Sequence, residues 1–90
     1  MHSVCLVIRG YVQGVGFRYF VQQTAEANEV HGEVWNGRDQ AVHVIAQHED
    51  EAVLKRFEEE MWNGPGRVDD VLTEPCVTKT YYGFGVSATR

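Results

Sequence analysis

The sequence predicts an α+β fold in one domain, with an antiparallel sheet that carries two helices on one face. Three observations lead there. The chain has 90 residues, enough for a single core and no more. Its apolar residues switch between the two-residue alternation of strands and the three-to-four-residue spacing of helices. The resulting order is β-α-β-β-α-β with one further strand at the C-terminus. Glycine-rich stretches at 10–16, 36–37 and 64–66 punctuate that order. Hydrophobic residues make up 43% of the chain and aromatic residues 11%, so a core can form and the composition is not that of a disordered segment.

Val4, Leu6 and Ile8 alternate with Cys5, Val7 and Arg9, which predicts a β-branched first strand that stops at Gly10. The stretch Gly10-Tyr11-Val12-Gln13-Gly14-Val15-Gly16 is too rich in glycine to be helical. Phe17, Phe20, Val21, Thr24 and Ala25 then fall on one face of a helix over residues 17–28. Asn28 or Gly32 can end it in a left-handed conformation. Residues 32–36 and 41–47 read as strands, and Asn36-Gly37 is a hairpin signal because both residues tolerate positive φ. A second helix fits 50–62, with Val53, Leu54, Phe57 and Met61 on one face, and stops at Asn63-Gly64-Pro65-Gly66. Residues 67–77 form a strand through Val68, Val71 and Leu72. Residues 80–87 form the last, with Tyr82, Phe84 and Val86 on one side. Two helices on one face of a sheet in this order make a ferredoxin-like α/β sandwich. That architecture hosts enzymes, carriers and regulatory modules alike, so function has to come from a site.

Composition excludes several classes. Thirteen acids against eight bases give a net charge of −5, which speaks against a nucleic-acid or anionic-membrane partner. The charge is uneven. Residues 1–25 hold Arg9 and Arg18 and no acid, whereas residues 49–62 are dense in Glu and Asp, and Glu58-Glu59-Glu60 reads as a solvated helix face. No run reaches the roughly 18 apolar residues of a membrane span. Arg9 and Gly10 interrupt the only apolar stretch near the N-terminus, so no signal peptide is expected. Cys5 and Cys76 are too few for a disulfide framework. A reducing, cytoplasmic setting is therefore expected, with Cys5 packing as a small apolar residue. A Cys5–Cys76 bridge between neighbouring strands is geometrically open but not the expectation. His2, His31, His43 and His48 show no ligand spacing, so no metal is expected. Tyr11, Phe17, Phe20, Phe57, Tyr82 and Phe84 are expected in the core rather than as base-stacking platforms.

The remaining feature is the loop before the first helix. Glycines between a strand and a helix let successive N–H groups converge, and a helix N-terminus adds free donors and a partial positive charge. Gly14 and Gly16 lie just before the helix and Arg18 lies in its first turn. A cation there opposes the helix macrodipole. A bound anion would resolve that conflict, since a guanidinium grips a tetrahedral oxyanion in bidentate fashion. The loop lacks the lysine of a Walker A motif and the third glycine of the dinucleotide pattern.

The string Gly10-Tyr11-Val12-Gln13-Gly14-Val15-Gly16-Phe17-Arg18 resembles the acylphosphatase motif Gly-x-Val-Gln-Gly-Val-x-Phe-Arg at every fixed position. Gly32-Glu33-Val34-Trp35-Asn36 is similar to the family's Gly-Trp-Val-Arg-Asn block at glycine, valine and asparagine. Ala25-Glu26-Ala27 looks like the family's first helix end, and Gly64-Pro65-Gly66-Arg67-Val68-Asp69-Asp70-Val71 looks like its Gly-Pro…Arg-Val-Asp-Asp-Val stretch. The resemblance spans nearly the whole chain.

It implies a monomeric, cofactor-free enzyme that hydrolyses the carboxyl–phosphate anhydride bond of small acyl phosphates, with inorganic phosphate as product inhibitor. Carried over, the backbone N–H groups of Gly14, Val15, Gly16, Phe17 and Arg18 cradle the phosphoryl group. The Arg18 guanidinium fixes it, and Asn36 positions the attacking water. The alternative is a silent module of the same fold that binds a phosphate-bearing ligand. Departures from the family pattern are Glu33 and Trp35 around the second block, Asn28-Glu29 after the first helix, Asp39-Gln40 in the hairpin, and His48 before the second helix. Glu33 is the one acid near enough to oppose a phosphate, if its strand turns it toward the loop.

Overall fold

A computed structural model describes residues 1–90. Its elements are β1 (His2–Tyr11), α1 (Phe17–Ala27), β2 (His31–Asn36), β3 (Val42–His48), α2 (Glu51–Glu60), β4 (Arg67–Pro75) and β5 (Phe84–Val86), with a short 3₁₀ turn at Met61–Asn63. The strands form one sheet in the order β4-β1-β3-β2-β5. Strands β1 to β4 pair antiparallel, as expected. The fifth departs from an all-antiparallel sheet, because β5 runs parallel to β2 on its outer edge.

Alternation decides which face is buried. Leu6 and Ile8 of β1, Val34 of β2, and Val42, Val44 and Ala46 of β3 all turn to one side. There they meet Phe17, Val21 and Ala25 of α1, Leu54 and Phe57 of α2, and Met61 beyond it, in a single core. The helical stripes are those the sequence predicts, with Phe20 and Val53 at the rim. Asp50 caps α2, its carboxylate accepting from the Ala52 N–H at 2.9 Å.

Four local expectations are corrected. First, β1 continues past Gly10 to Tyr11 by means of a bulge at Arg9/Gly10 against β4. Tyr11 then points outward and is 60% exposed, not in the core. Second, the left-handed residue after α1 is neither Asn28 nor Gly32 but Glu29, at φ 56°. The Val30 N–H bonds to the Ala25 carbonyl at 2.8 Å and that of Glu29 to Glu26 at 3.2 Å, the Schellman pattern. Burial of Val30 in the core holds Glu29 in that conformation.

Third, neither Asn36 nor Gly37 takes the positive φ of the expected hairpin signal. Asn36 is the last residue of β2, paired with Val42. The loop closes through Gly37 N–H to the Ala41 carbonyl at 2.8 Å, and positive φ falls at Gln40 instead. Asp39 favours this wider turn by accepting from the Ala41 N–H and from His43. Fourth, the last strand is 84–86 rather than 80–87. Phe84 enters the core, while Tyr82 is 89% exposed. The preceding segment crosses the open face of the sheet instead of pairing in it. There the buried Gln47 amide holds it, donating to the Lys79 carbonyl at 2.7 Å and accepting from the Tyr81 N–H at 2.9 Å.

That crossing segment starts at Cys76, which is disulfide-bonded to Cys5 across a Cα separation of 5.8 Å. Cys5 is thus a cross-link and not a packing thiol. From the sequence the bridge is open on strand neighbourhood but not expected in a reducing setting; the register that puts Pro75 beside Val4 brings the two cysteines together. The far end of the segment is fastened by Glu33, on the open face of β2. Its carboxylate accepts from the Tyr81 hydroxyl and from Ser87 Oγ, both at 2.7 Å, and pairs with Arg90 at 2.9 Å. Burial pushes this carboxyl up, but the three donors and the Arg90 charge outweigh it, so it titrates below its ordinary value.

Cross-linking residues 71 apart removes about 4 kcal/mol of chain entropy from the unfolded state. The Cys5→Ser/Cys76→Ser variant should therefore lose about 2–4 kcal/mol in urea unfolding, and an unchanged midpoint would show that the bridge holds nothing. For Glu33, whose folded pKa is depressed, the stabilisation is complete above the unfolded value and disappears as pH falls through the folded one. Glu33→Gln should cost about 1–2 kcal/mol at pH 7 and flatten the decline of stability below about pH 4.5; parallel acid limbs in the two proteins would contradict this.

Candidate active site

The loop between β1 and α1 turns on two glycines. Gly14 and Gly16 take φ values of 74° and 84°, a left-handed conformation that a side chain resists. Gly16 is also the N-cap of α1 and offers no side-chain cap. The first helical N–H to find a carbonyl is that of Phe20, on Gly16 at 3.2 Å. The N–H groups of Phe17, Arg18 and Tyr19 are left without intrahelical acceptors at the positive end of the helix dipole. No acid stands in this first turn.

The loop is buttressed from within. Phe17 is fully buried and packs against Phe20 with ring centroids 5.5 Å apart. A Cβ added at Gly64 would meet the Phe17 ring, and one at Gly66 would collide with the Tyr11 carbonyl and lie 3.0 Å from Val15. The Gly64-Pro65-Gly66 turn is thus pressed against the underside of the loop by its lack of side chains.

The expected site residues come together here. Gly14, Gly16, Phe17, Arg18 and Asn36 line one cleft of about 130 Å³ with Val12 and Tyr19. Val15 is the exception, since its side chain packs on the core and leaves only its backbone to the loop. Asn36 reaches the cleft because it shares the helix-side face of β2 with Val34. Its Oδ1 is buried and has no hydrogen-bond partner within the chain. Arg18 forms no ion pair. One of its donors, Nη1, is fixed on the Ser87 carbonyl at 3.1 Å, which orients the guanidinium and leaves its other N–H groups free.

Glu33 does not oppose the cleft. It lies on the opposite face of β2, among Tyr81, Ser87 and Arg90. Trp35 shares that far face, stacked on His43 with ring centroids 5.7 Å apart and covered by the Arg90 guanidinium at 4.3 Å. Both departures from the family block are therefore across the sheet from the loop. Two larger clefts, of about 370 and 200 Å³, mix carboxylates with basic groups: Glu51 and Glu58 with Lys55 and His2 in one, Glu29 and Glu49 with His31 and His48 in the other. Neither includes the glycine loop or a helix N-terminus free of acids.

Three contributors escaped the sequence analysis. Ser87 offers a backbone carbonyl, which no residue type announces. Tyr19, 68% exposed, lines the mouth from the solvent side of an amphipathic helix. Gln13 lies inside the quoted motif, and its amide is bonded to the β2–β3 turn.

A phosphate-sized cleft with backbone donors, a free arginine and an amide oxygen, and with no carboxylate, suits the binding and attack of a phosphoryl group. The family model for acylphosphatase matches residues 4–86. An acylphosphatase of Oceanobacillus iheyensis is 43% identical over 83 residues, covering 89% of this chain and 90% of that one. An acylphosphatase of Lactococcus lactis is 47% identical over 57 residues, 63% of this chain and 59% of that protein. The crystal structure of acylphosphatase from Bacillus subtilis superposes with a TM-score of 0.91 at 32% identity, over 97% of this chain and 99% of that one. Sequence, fold and cleft agree, and the chain belongs to the acylphosphatase family.

Proposed function

We propose that this chain hydrolyses small acyl phosphates in the cleft between the 14–18 loop and Asn36. The carrying observation is that the Asn36 side-chain amide makes no hydrogen bond within the chain and that Asn36 lines the same cleft as Arg18. The loop N–H groups and the Arg18 guanidinium take the three phosphoryl oxygens. The Asn36 side-chain amide holds the water by a hydrogen bond and turns a lone pair of that water toward phosphorus. The water oxygen bonds to phosphorus as the bond from phosphorus to the acyl oxygen breaks. The carboxylate leaves with the bonding electron pair, and the water proton ends on a phosphate oxygen.

The donor set fits that step. Phosphoryl transfer passes through a loose transition state, so positioning and charge stabilisation carry most of the catalysis. The leaving carboxylate has a conjugate acid of pKa about 4 and departs without a general acid. An amide orients water without adding negative charge beside the phosphate. Arg18 and the loop supply the positive potential from the chain itself. All these groups come from one chain, so the reading takes the enzyme as a monomer. The exposed mouth beside Tyr19 leaves the acyl group largely in solvent, which suggests weak selectivity for it. The reading keeps the cytoplasmic setting, where the Cys5–Cys76 bond would be reduced, and the chemistry does not depend on that bond, because neither cysteine lines the cleft.

Benzoyl phosphate turnover tests the reading. Purified protein should hydrolyse it at the same rate with and without chelator. Decay at the buffer rate would leave only a phosphate-binding module. Arg18→Ala should abolish turnover. Inorganic phosphate should inhibit the wild type competitively and raise its melting temperature by mass action, and an equal rise in the Arg18 variant would remove Arg18 from the site. Asn36→Ala should lower kcat about 100-fold with KM little changed, the scale of losing one positioned group. Wild-type kcat in that variant would return Asn36 to a purely structural role.

A further inference from the structure

Gln13 is half-buried in the loop, between buried Val12 and Gly14. Its side-chain amide donates both protons across the site, to the Gly37 carbonyl at 2.7 Å and to the Ala41 carbonyl at 3.0 Å. Those carbonyls stand at the two ends of the β2–β3 turn. The turn is itself closed by Gly37 N–H donating to the same Ala41 oxygen at 2.8 Å. Gly37 follows Asn36 directly. With two carbonyls facing it, only the NH₂ of the amide can occupy this place, so the orientation of Gln13 is fixed by its partners.

The two halves of the cleft come from distant parts of the chain. The 14–18 loop continues from β1, and Asn36 ends β2. In the sheet these strands are not neighbours, because β3 lies between them. The ladders reach Asn36 only from the body of β1 and through β3, where Val42 pairs with Ile8 on one side and with Asn36 on the other, and none of them includes the 14–18 loop. The Gln13 amide bonds from the loop itself to the turn, one residue from Gly14 on one side and one residue from Asn36 on the other.

We infer that Gln13 is a positioning residue for acyl phosphate hydrolysis, holding Asn36 at its working distance from the phosphate loop through the Gly37 and Ala41 carbonyls. The inference rests on the assignment of the attacking water to Asn36. An in-line attack is sensitive to small displacements, so loss of the link should act on the chemical step. Phosphate affinity, set by the loop and Arg18, should stay.

Gln13→Met removes both donors and keeps the length of the side chain. It should lower kcat for benzoyl phosphate about tenfold, with KM and the inhibition constant of inorganic phosphate within about twofold of wild type. Placed in the Asn36→Ala background, the same substitution should change kcat by less than about twofold, because the group it positions is gone. Melting with and without phosphate shows that each variant is folded and loaded, and Gln13→Asn, one methylene short, makes the same test if the Met variant does not fold. Wild-type kcat in Gln13→Met, an equal loss in both backgrounds, or a fall in phosphate affinity in step with kcat would each overturn the inference. Wild-type kcat in Asn36→Ala alone would instead overturn the water assignment, and the inference with it.

Discussion

Side-chain alternation along β2 fixes what the rest of the site can be. Val34 has to enter the core beneath the helices, and a strand sends every second residue to the same face. Asn36 therefore faces the helix side, at the strand end, where α1 begins. Glu33 and Trp35 are sent to the other side by the same rule. A one-residue slip of register would expose Val34, withdraw Asn36 and turn the Glu33 carboxylate to the helix side. The site thus inherits its accuracy from the core, and the hydrophobic term that stabilises the fold also selects the electrostatics of the cleft.

The loop is built on the same dependence. Phe17 enters the core as the first residue of α1 and leaves the N–H groups around it facing the cleft. The glycines of the 64–66 turn let a second loop press against Phe17 and Val15 from below. The cradle is held by packing on one side and presents bare donors on the other. The chain's net charge of −5 does not spoil this, because the acids are concentrated around α2 and no acid precedes Glu26. The local field of the cleft is built from Arg18, loop amides and a helix N-terminus, whereas the net charge of the whole molecule would repel a polyanion.

The open face of the sheet carries a separate set of interactions that reach the site only through the backbone. The segment from Cys76 crosses it, pinned by the disulfide, by Gln47 and by the Tyr81–Glu33 bond. It delivers β5 to the outer edge of β2, where the Ser87 carbonyl meets Arg18. The Tyr81 hydroxyl titrates above its ordinary value, from burial first and from its bond to Glu33 second. The polar groups on this face thus fasten the tail that orients the arginine.

Both helical stripes, the glycine loop and the candidate residues Arg18 and Asn36 were legible in the residues, because periodicity and glycine placement are local properties of the chain. The positive φ values at Gln40 and Glu29 were not legible. In each case a tertiary demand, the anchoring of Gly37 and Ala41 to Gln13 or the burial of Val30, overrode the intrinsic preference of Asn and Gly. The sequence by itself determined the order of elements, the faces of the helices and the chemistry of the 10–18 loop. Only the tertiary structure decided that Cys5 meets Cys76 and that Glu33 turns away from the phosphate. It also decided that Arg18 rests on a carbonyl 69 residues away and that Gln13 spans to the turn beside Asn36. Those four depend on strand order and register, which are set by the burial of one whole face of the sheet and leave no mark in any short stretch of sequence.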